Sequence, residues 1–147
     1  MAPVAPVAPV APIPLSVLVV DDHAVVREAL TAYLDAEPGL AVWAAVGSGE
    51  EALALLGEGL SPPPPTALLV DVQMPGRDGI ELVAEVTARH PGVPCVMLSA
   101  HAASTYADRA RSAGARGFVE KGRPERLVRA LRRAIEAPGW VTDDEGL

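Results

Sequence analysis

The stretch SVLVVDDHAVV, Ser16 to Val26, holds an apolar run that ends on two adjacent aspartates, Asp21 and Asp22. Neighbouring carboxylates resist ionising together unless a cation or a cationic side chain compensates them. Asp is also a favoured helix N-cap, and a helix-period pattern begins at His23. The segment by itself admits either reading, a cation site or a cap, so the rest of the chain has to decide between them.

The strand-then-helix alternation of this stretch recurs. Short apolar runs at Val17–Val20, Ala41–Val46, Ala67–Val70, Cys95–Leu98 and Gly117–Glu120 read as strands. Helix-period segments follow them, approximately at His23–Ala36, Ser48–Leu56, Ile80–His90, Ala103–Ala113 and Pro124–Ala137. Breaks at EPG, HPGVP and SAGARG close the first, third and fourth helices. Five βα rounds of this kind predict an α/β fold, a five-stranded parallel sheet with helices on both faces. The run SPPPP, Ser61–Pro65, fits neither helix nor central strand and reads as a stiff connection into the third strand.

In open α/β sheets, ligand sites lie outside the carboxyl ends of the strands, where the strand order reverses. The strand ends here carry Asp21 and Asp22, then Asp71 in ALLVDVQMPG, Ser99 in CVMLSA and Lys121 in GFVEKG. With the flavodoxin-like order 2-1-3-4-5, strands one and three are neighbours, and Asp71 meets Asp21 and Asp22. Three converging carboxylates call for a cation, and hard oxygen ligands suit Mg²⁺. A carboxylate can also act as a nucleophile toward phosphorus and form an aspartyl phosphate. Asp71, on the central strand, is the candidate. Mg²⁺ on Asp22 and Asp71, with Asp21 acting through a bound water, would neutralise the transferring group, and Ser99 and Lys121 would donate hydrogen bonds to its oxygens.

Composition narrows the classes. The chain has 147 residues, 50% hydrophobic and 21% charged, enough for one domain with a sizeable core. Its net charge of -7 argues against a general nucleic-acid or anionic-membrane binder. That charge is uneven: residues 1–100 hold 3 basic and 12 acidic residues, whereas residues 101–147 hold 9 basic and 7 acidic. Aromatics at 3% are too few for base-stacking platforms. The single cysteine, Cys95, lies in an apolar run, which fits a core position in a reducing cytoplasm. No apolar run approaches the roughly 20 residues that span a bilayer. The leader MAPVAPVAPVAPIP lacks the regions of a secretory signal, and its period of three matches polyproline II. The expected organisation is a disordered Ala/Pro/Val tail over 1–14, one domain over 15–137 and a C-terminal tail over 138–147.

Taken together, VLVVDDHAVVREAL, LLVDVQMPGRDGIEL, VMLSA and AGARGFVEKG resemble the receiver domain of bacterial two-component response regulators. DDHAVVRE is most similar to the subfamily that usually carries a C-terminal helix-turn-helix. The resemblance implies that Asp71 is the phosphoacceptor, Asp21 and Asp22 the acidic metal pair, and the backbone carbonyl of Gln73 a further metal ligand. It makes Ser99 and Lys121 the switch hydroxyl and lysine and Phe118, three residues before Lys121, the switch aromatic. Gln73 and His101, each two residues beyond a key group, would flank the attacking water and tune dephosphorylation. Arg77 departs from the family by replacing the apolar residue more usual in its turn.

The expected function is a stand-alone receiver, not an enzyme. It would take phosphoryl from a sensor histidine kinase or phosphotransfer protein and signal by contact with a downstream protein partner or in a homodimer. A phosphorylation-independent interaction module and an Mg²⁺-dependent phosphohydrolase are the competing classes. The last helix, RPERLVRALRRAIEA, places Leu127, Leu131 and Ile135 inward and Arg126, Arg129, Arg132 and Arg133 outward. An acidic partner surface suits that face better than DNA, since no groove-shaped element accompanies it.

Overall fold

The computed structural model describes residues 15–57, 65–72, 74, 78–100, 106–136 and 139–142. Along them run β1 (Leu15–Val20), α1 (Ala24–Ala36), β2 (Leu40–Val46), α2 (Gly49–Gly57), β3 (Ala67–Asp71), α3 (Gly79–Arg89), β4 (Cys95–Ser99), α4 (Ala107–Ala113), β5 (Gly117–Glu120), α5 (Pro124–Glu136) and β6 (Val141–Thr142). All the strands pair in parallel, in the order β2-β1-β3-β4-β5-β6. The five expected strands thus stand in the expected order 2-1-3-4-5, and the order reverses between β1 and β3.

Strands covered on both faces read as continuous apolar runs rather than alternating ones, because both sets of side chains are buried. Leu18, Val20, Leu68, Val70, Cys95, Met97 and Phe118 point into a layer shared with α2, α3 and α4. Their neighbours Val17, Val19, Leu69, Val96, Leu98 and Val119 point into the opposite layer, against α1 and α5. A strand's period of two therefore splits one core into two. Each fully buried Leu or Val contributes about 1.5–3 kcal/mol relative to exposure.

One element departs from expectation. Residues 138–147 read as a tail, but Val141–Thr142 continue the sheet beyond β5, with Gly117 opposite Val141 and Phe118 opposite Thr142. The Val141 amide donates to the Arg116 carbonyl at 2.9 Å. Glycine at 117 is what allows the approach, since a Cβ there would lie 3.0 Å from the Val141 carbonyl oxygen. Trp140 packs against the α4 side of the sheet, its ring 5.7 Å from the Arg111 guanidinium, a cation–π distance. A two-residue strand has no periodicity to read, which is why the pattern missed it.

Cys95 is 1% exposed, and burial pushes its thiol up to about 12. An unfolded thiol titrates near ~8.5, so the unfolded chain loses its proton first as pH rises. Cys95 therefore contributes a stability that is full below that value and declines between it and about 12. We expect an alkylating reagent at pH 8 to leave native Cys95 unmodified and to label it only in urea. Rapid labelling of the folded chain would contradict this burial.

Candidate functional site

The site begins where β1 ends. Asp21 is wholly buried, its amide donating to the Val46 carbonyl at 3.0 Å. Its Oδ1 accepts from the His23 amide at 2.9 Å, a local turn that sets the direction of the chain into α1. Residue 23 is the α1 N-cap and makes no side-chain capping bond, so neither aspartate is the helix cap in the ordinary sense. One helical turn on, Arg27 Nη1 donates to the Asp21 carbonyl at 2.7 Å and ties the turn to the helix.

β3 lies beside β1 and delivers Asp71, which is 3% exposed. From the end of β5, the Lys121 ammonium reaches Asp71 Oδ2 at 3.1 Å and Asp21 Oδ2 at 3.2 Å. Burial lowers the Lys121 pKa, but the hydrogen bond and charge of Asp71 and then the charge of Asp21 outweigh it and hold the ammonium above its usual range. The Lys121 amide also donates to the Ser99 carbonyl at 2.7 Å, which joins the ends of β4 and β5. Asp22 is more open, its side chain 23% exposed.

α3 starts almost on top of β3. Its N-cap Asp78 accepts from the Glu81 amide at 2.8 Å, and the Gly79 amide donates to the Val72 carbonyl at 3.0 Å. A side chain at 79 would collide with the Asp71 backbone carbonyl, so glycine is required by close approach.

Of the residues expected at the site, the fold brings together Asp21, Asp22, Asp71 and Lys121. Ser99 is 3% exposed at the adjacent strand end, and Phe118 is 1% exposed in the layer beneath α4. Gln73, Arg77 and His101 lie outside the described residues, as does most of SPPPP. Two contributors went unread. Arg27 holds the turn, and His23 Nδ1 lies 3.3 Å from Asp21 Oδ1, 3.2 Å from Asp22 Oδ1 and 3.8 Å from Asp71 Oδ2. The available signal was adjacency to the aspartate pair.

Parallel strands, a carboxylate cluster at the reversal point and a lysine from β5 are the arrangement that the motifs anticipate, and residues 17–132 match the response regulator receiver domain. The chain belongs to this family. The receiver is 35% identical over 132 residues to the transcriptional regulatory protein UhpA of Escherichia coli (strain K12), covering 88% of this chain and 63% of the relative. It is 38% identical over 140 residues to protein-glutamate methylesterase/protein-glutamine glutaminase 5 of Anaeromyxobacter dehalogenans (strain 2CP-C), covering 86% of this chain and 37% of that one. A solved two-component response regulator of the LuxR family from Aurantimonas sp. SI85-9A1 superposes with a TM-score of 0.78 at 29% identity, over 87% of this chain and 89% of that one. The receiver thus spans 63% or less of these two curated relatives.

Asp21, Asp22, His23 and Asp71 each offer a ligand atom, all within 4.8 Å of one another. Asp21 Oδ2 faces the Lys121 ammonium at 3.2 Å and Asp22 Oδ1 faces His23 Nδ1 at 3.2 Å, so Lys121 is the one lysine or arginine side chain paired with these three carboxylates among the described residues. Three carboxylates turned toward one point against one ammonium leave an excess of negative charge on oxygen ligands, which fits a hard divalent cation.

Removing the ammonium should expose the repulsion it offsets. Lys121→Met should lower the stability of the metal-free receiver by about 3 kcal/mol at most, the low end for stripping one partner from a buried pair, because the Lys121 side chain is itself 20% exposed. Because its folded pKa is raised, Lys121 stabilises fully below ~10.4, and this contribution fades as pH climbs through the folded value. Urea melts with and without the substitution, from pH 7 to 11, check both statements. Equal stability at pH 7 would show that Lys121 does not brace the carboxylates.

Proposed function

We propose that this receiver accepts a phosphoryl group on Asp71 from the phosphohistidine of a sensor histidine kinase or phosphotransfer protein. The observation that carries the reading is a buried Asp71 carboxylate at the reversal of strand order, bonded to Lys121 and facing two further carboxylates. One Asp71 oxygen attacks phosphorus while the nitrogen–phosphorus bond of the donor breaks and its electron pair returns to the imidazole. Mg²⁺ held by Asp21, Asp22, Asp71 and the Gln73 carbonyl would neutralise charge on the transferring group. Lys121, already beside Asp71, passes its hydrogen bond to a phosphoryl oxygen. Ser99 supplies a hydroxyl from the neighbouring strand end, and the Ser99 movement is relayed to Phe118 beneath α4.

The output on this reading is a protein contact made by the receiver or its homodimer. Support comes from α5, whose Arg129 and Arg133 are exposed while Leu127 and Leu131 are buried, so a cationic stripe faces outward. Such a stripe favours an acidic protein surface. Among the described residues no helix is long and apolar enough to cross a membrane. A phosphohydrolase would need a general acid near Asp71, and the residue two beyond it is the amide Gln73. We therefore read the chain as a phosphoryl acceptor and not an enzyme, with Gln73 and His101 setting the lifetime of the phosphoryl group.

Incubation with a small acyl phosphate and Mg²⁺ should add one phosphoryl group, located on Asp71 by mass spectrometry. Chelation of the cation or Asp71→Asn should abolish the adduct, and His101→Leu should prolong it. Labelling that survives in Asp71→Asn would place the acceptor elsewhere. No labelling under any condition would favour the phosphorylation-independent interaction module.

A further inference from the structure

α1 is the least covered of the long helices. α3 and α5 each bury five residues, whereas α1 buries Leu34 alone. Val25, Ala29 and Tyr33 stand four residues apart and so share one stripe of α1. Val25 is 79% exposed, the one exposed large hydrophobic among the described residues. The stripe lines an apolar cleft of about 400 Å³, with Pro124 and Leu127 of α5 lining it too. Lys121 stands at the same cleft, so one end of it borders the carboxylate site.

The chain enters β1 near the other end of this seam. The Leu15 amide donates to the Gly39 carbonyl at 2.8 Å, and the Pro38 carbonyl beside it accepts from Arg132 Nη2 of α5 at 2.6 Å. Leu15 also packs in the layer that holds Leu30 and Tyr33. The 14 residues before Leu15, MAPVAPVAPVAPIP, carry no charged, hydroxyl or amide side chain. With three residues per turn, Val4, Val7, Val10 and Ile13 fall on one edge of a polyproline II helix.

We propose that this leader docks within its own chain, in the cleft between α1 and α5, with its valine edge on the stripe of Val25, Ala29 and Tyr33. A charged or polar occupant would lose hydration in the cleft without gaining partners. The leader has no such side chain to desolvate, and polyproline II leaves its backbone facing water. Proline-rich segments dock in grooves that offer an aromatic ring, and they do so with little ordering cost because the helix is preformed; Tyr33 supplies the ring. The span fits. At ~3.1 Å per residue the leader reaches about 43 Å, whereas the stripe is about 12 Å long at ~1.5 Å per residue of helix. A short tether holds the leader at an effective concentration of the order of millimolar, so a weak contact suffices to fill the cleft. The docking is independent of the phosphoryl chemistry at Asp71, and it closes the apolar seam to other proteins.

A nitroxide on the full chain tests this, because it broadens the amide signals of nearby residues. Val7→Cys takes the label alone, since the native Cys95 is 1% exposed. In the ¹⁵N-labelled chain we expect loss of the Val25, Ala29, Tyr33 and Leu127 amide signals, their return on reducing the nitroxide, and unchanged signals along α3, which packs on the opposite face of the sheet. Val25→Asp puts a charge on the stripe at an exposed position that spares the fold, and it should restore all four signals. Val4→Ser combined with Val10→Ser alters the leader only and should restore them as well. Broadening spread evenly over both faces, or broadening that survives either set of substitutions, would overturn the proposal. So would the absence of broadening, which would leave the cleft to a separate partner. The same broadening in a mixture of ¹⁵N-labelled chain without nitroxide and unlabelled chain with it would also overturn the proposal, by assigning the cleft to the leader of a second copy.

Discussion

Asp21 and Asp71 project their carboxylates from two adjacent, buried strands toward the same point, and the Lys121 ammonium bridges them. In water these charges would be nearly indifferent to one another. At the buried carboxyl edge of a sheet the low dielectric magnifies both their repulsion and their need for a cation. The strand order that makes β1 and β3 neighbours thus creates an electrostatic demand, and β5 meets it across the intervening β4. A folded receiver stores a site whose charge is only partly offset by its own lysine and which responds to any change in local charge.

That arrangement explains why small features around it matter. Arg27 fixes the turn after β1, Gly79 lets α3 start against the Asp71 carbonyl, and the Lys121 amide is pinned to the Ser99 carbonyl. None of these groups has chemistry of its own. Each limits where a carboxylate or the ammonium can go, and positioning is most of what a phosphoryl acceptor requires. On the far side of β5, Phe118 shares a core layer with α4 and Trp140. A rearrangement at the end of β4 therefore has a packed route to the α4 surface and to the β6 edge.

Much of this was legible in the chain itself. Two-sided burial turns strands into continuous apolar runs, so Val17–Val20 and Ala67–Val70 stood out, and parallel topology then dictated which strand ends would meet. Asp21, Asp22, Asp71 and Lys121 were readable because each directly follows such a run. His23 was harder to see, since it looks like the first residue of a helix and only the turn held by Asp21 aims its ring at the carboxylates. Arg27 acts through a backbone carbonyl, and backbone partners leave no mark on sequence pattern. β6 was lost because its docking depends on Gly117 as a tertiary neighbour, not on any local period.

The most direct measurement of the central claim uses beryllofluoride, which forms a stable phosphoryl-like adduct on a carboxylate. Amide and lysine-ammonium spectra of the isotopically labelled receiver would be recorded with Mg²⁺ alone and with Mg²⁺ plus beryllofluoride. The account predicts saturable shifts centred on Asp71, with Ser99 and Phe118 moving in step and the Lys121 ammonium leaving Asp21 for the adduct. A spectrum unchanged by beryllofluoride, or one whose shifts centre away from Asp71, would contradict it.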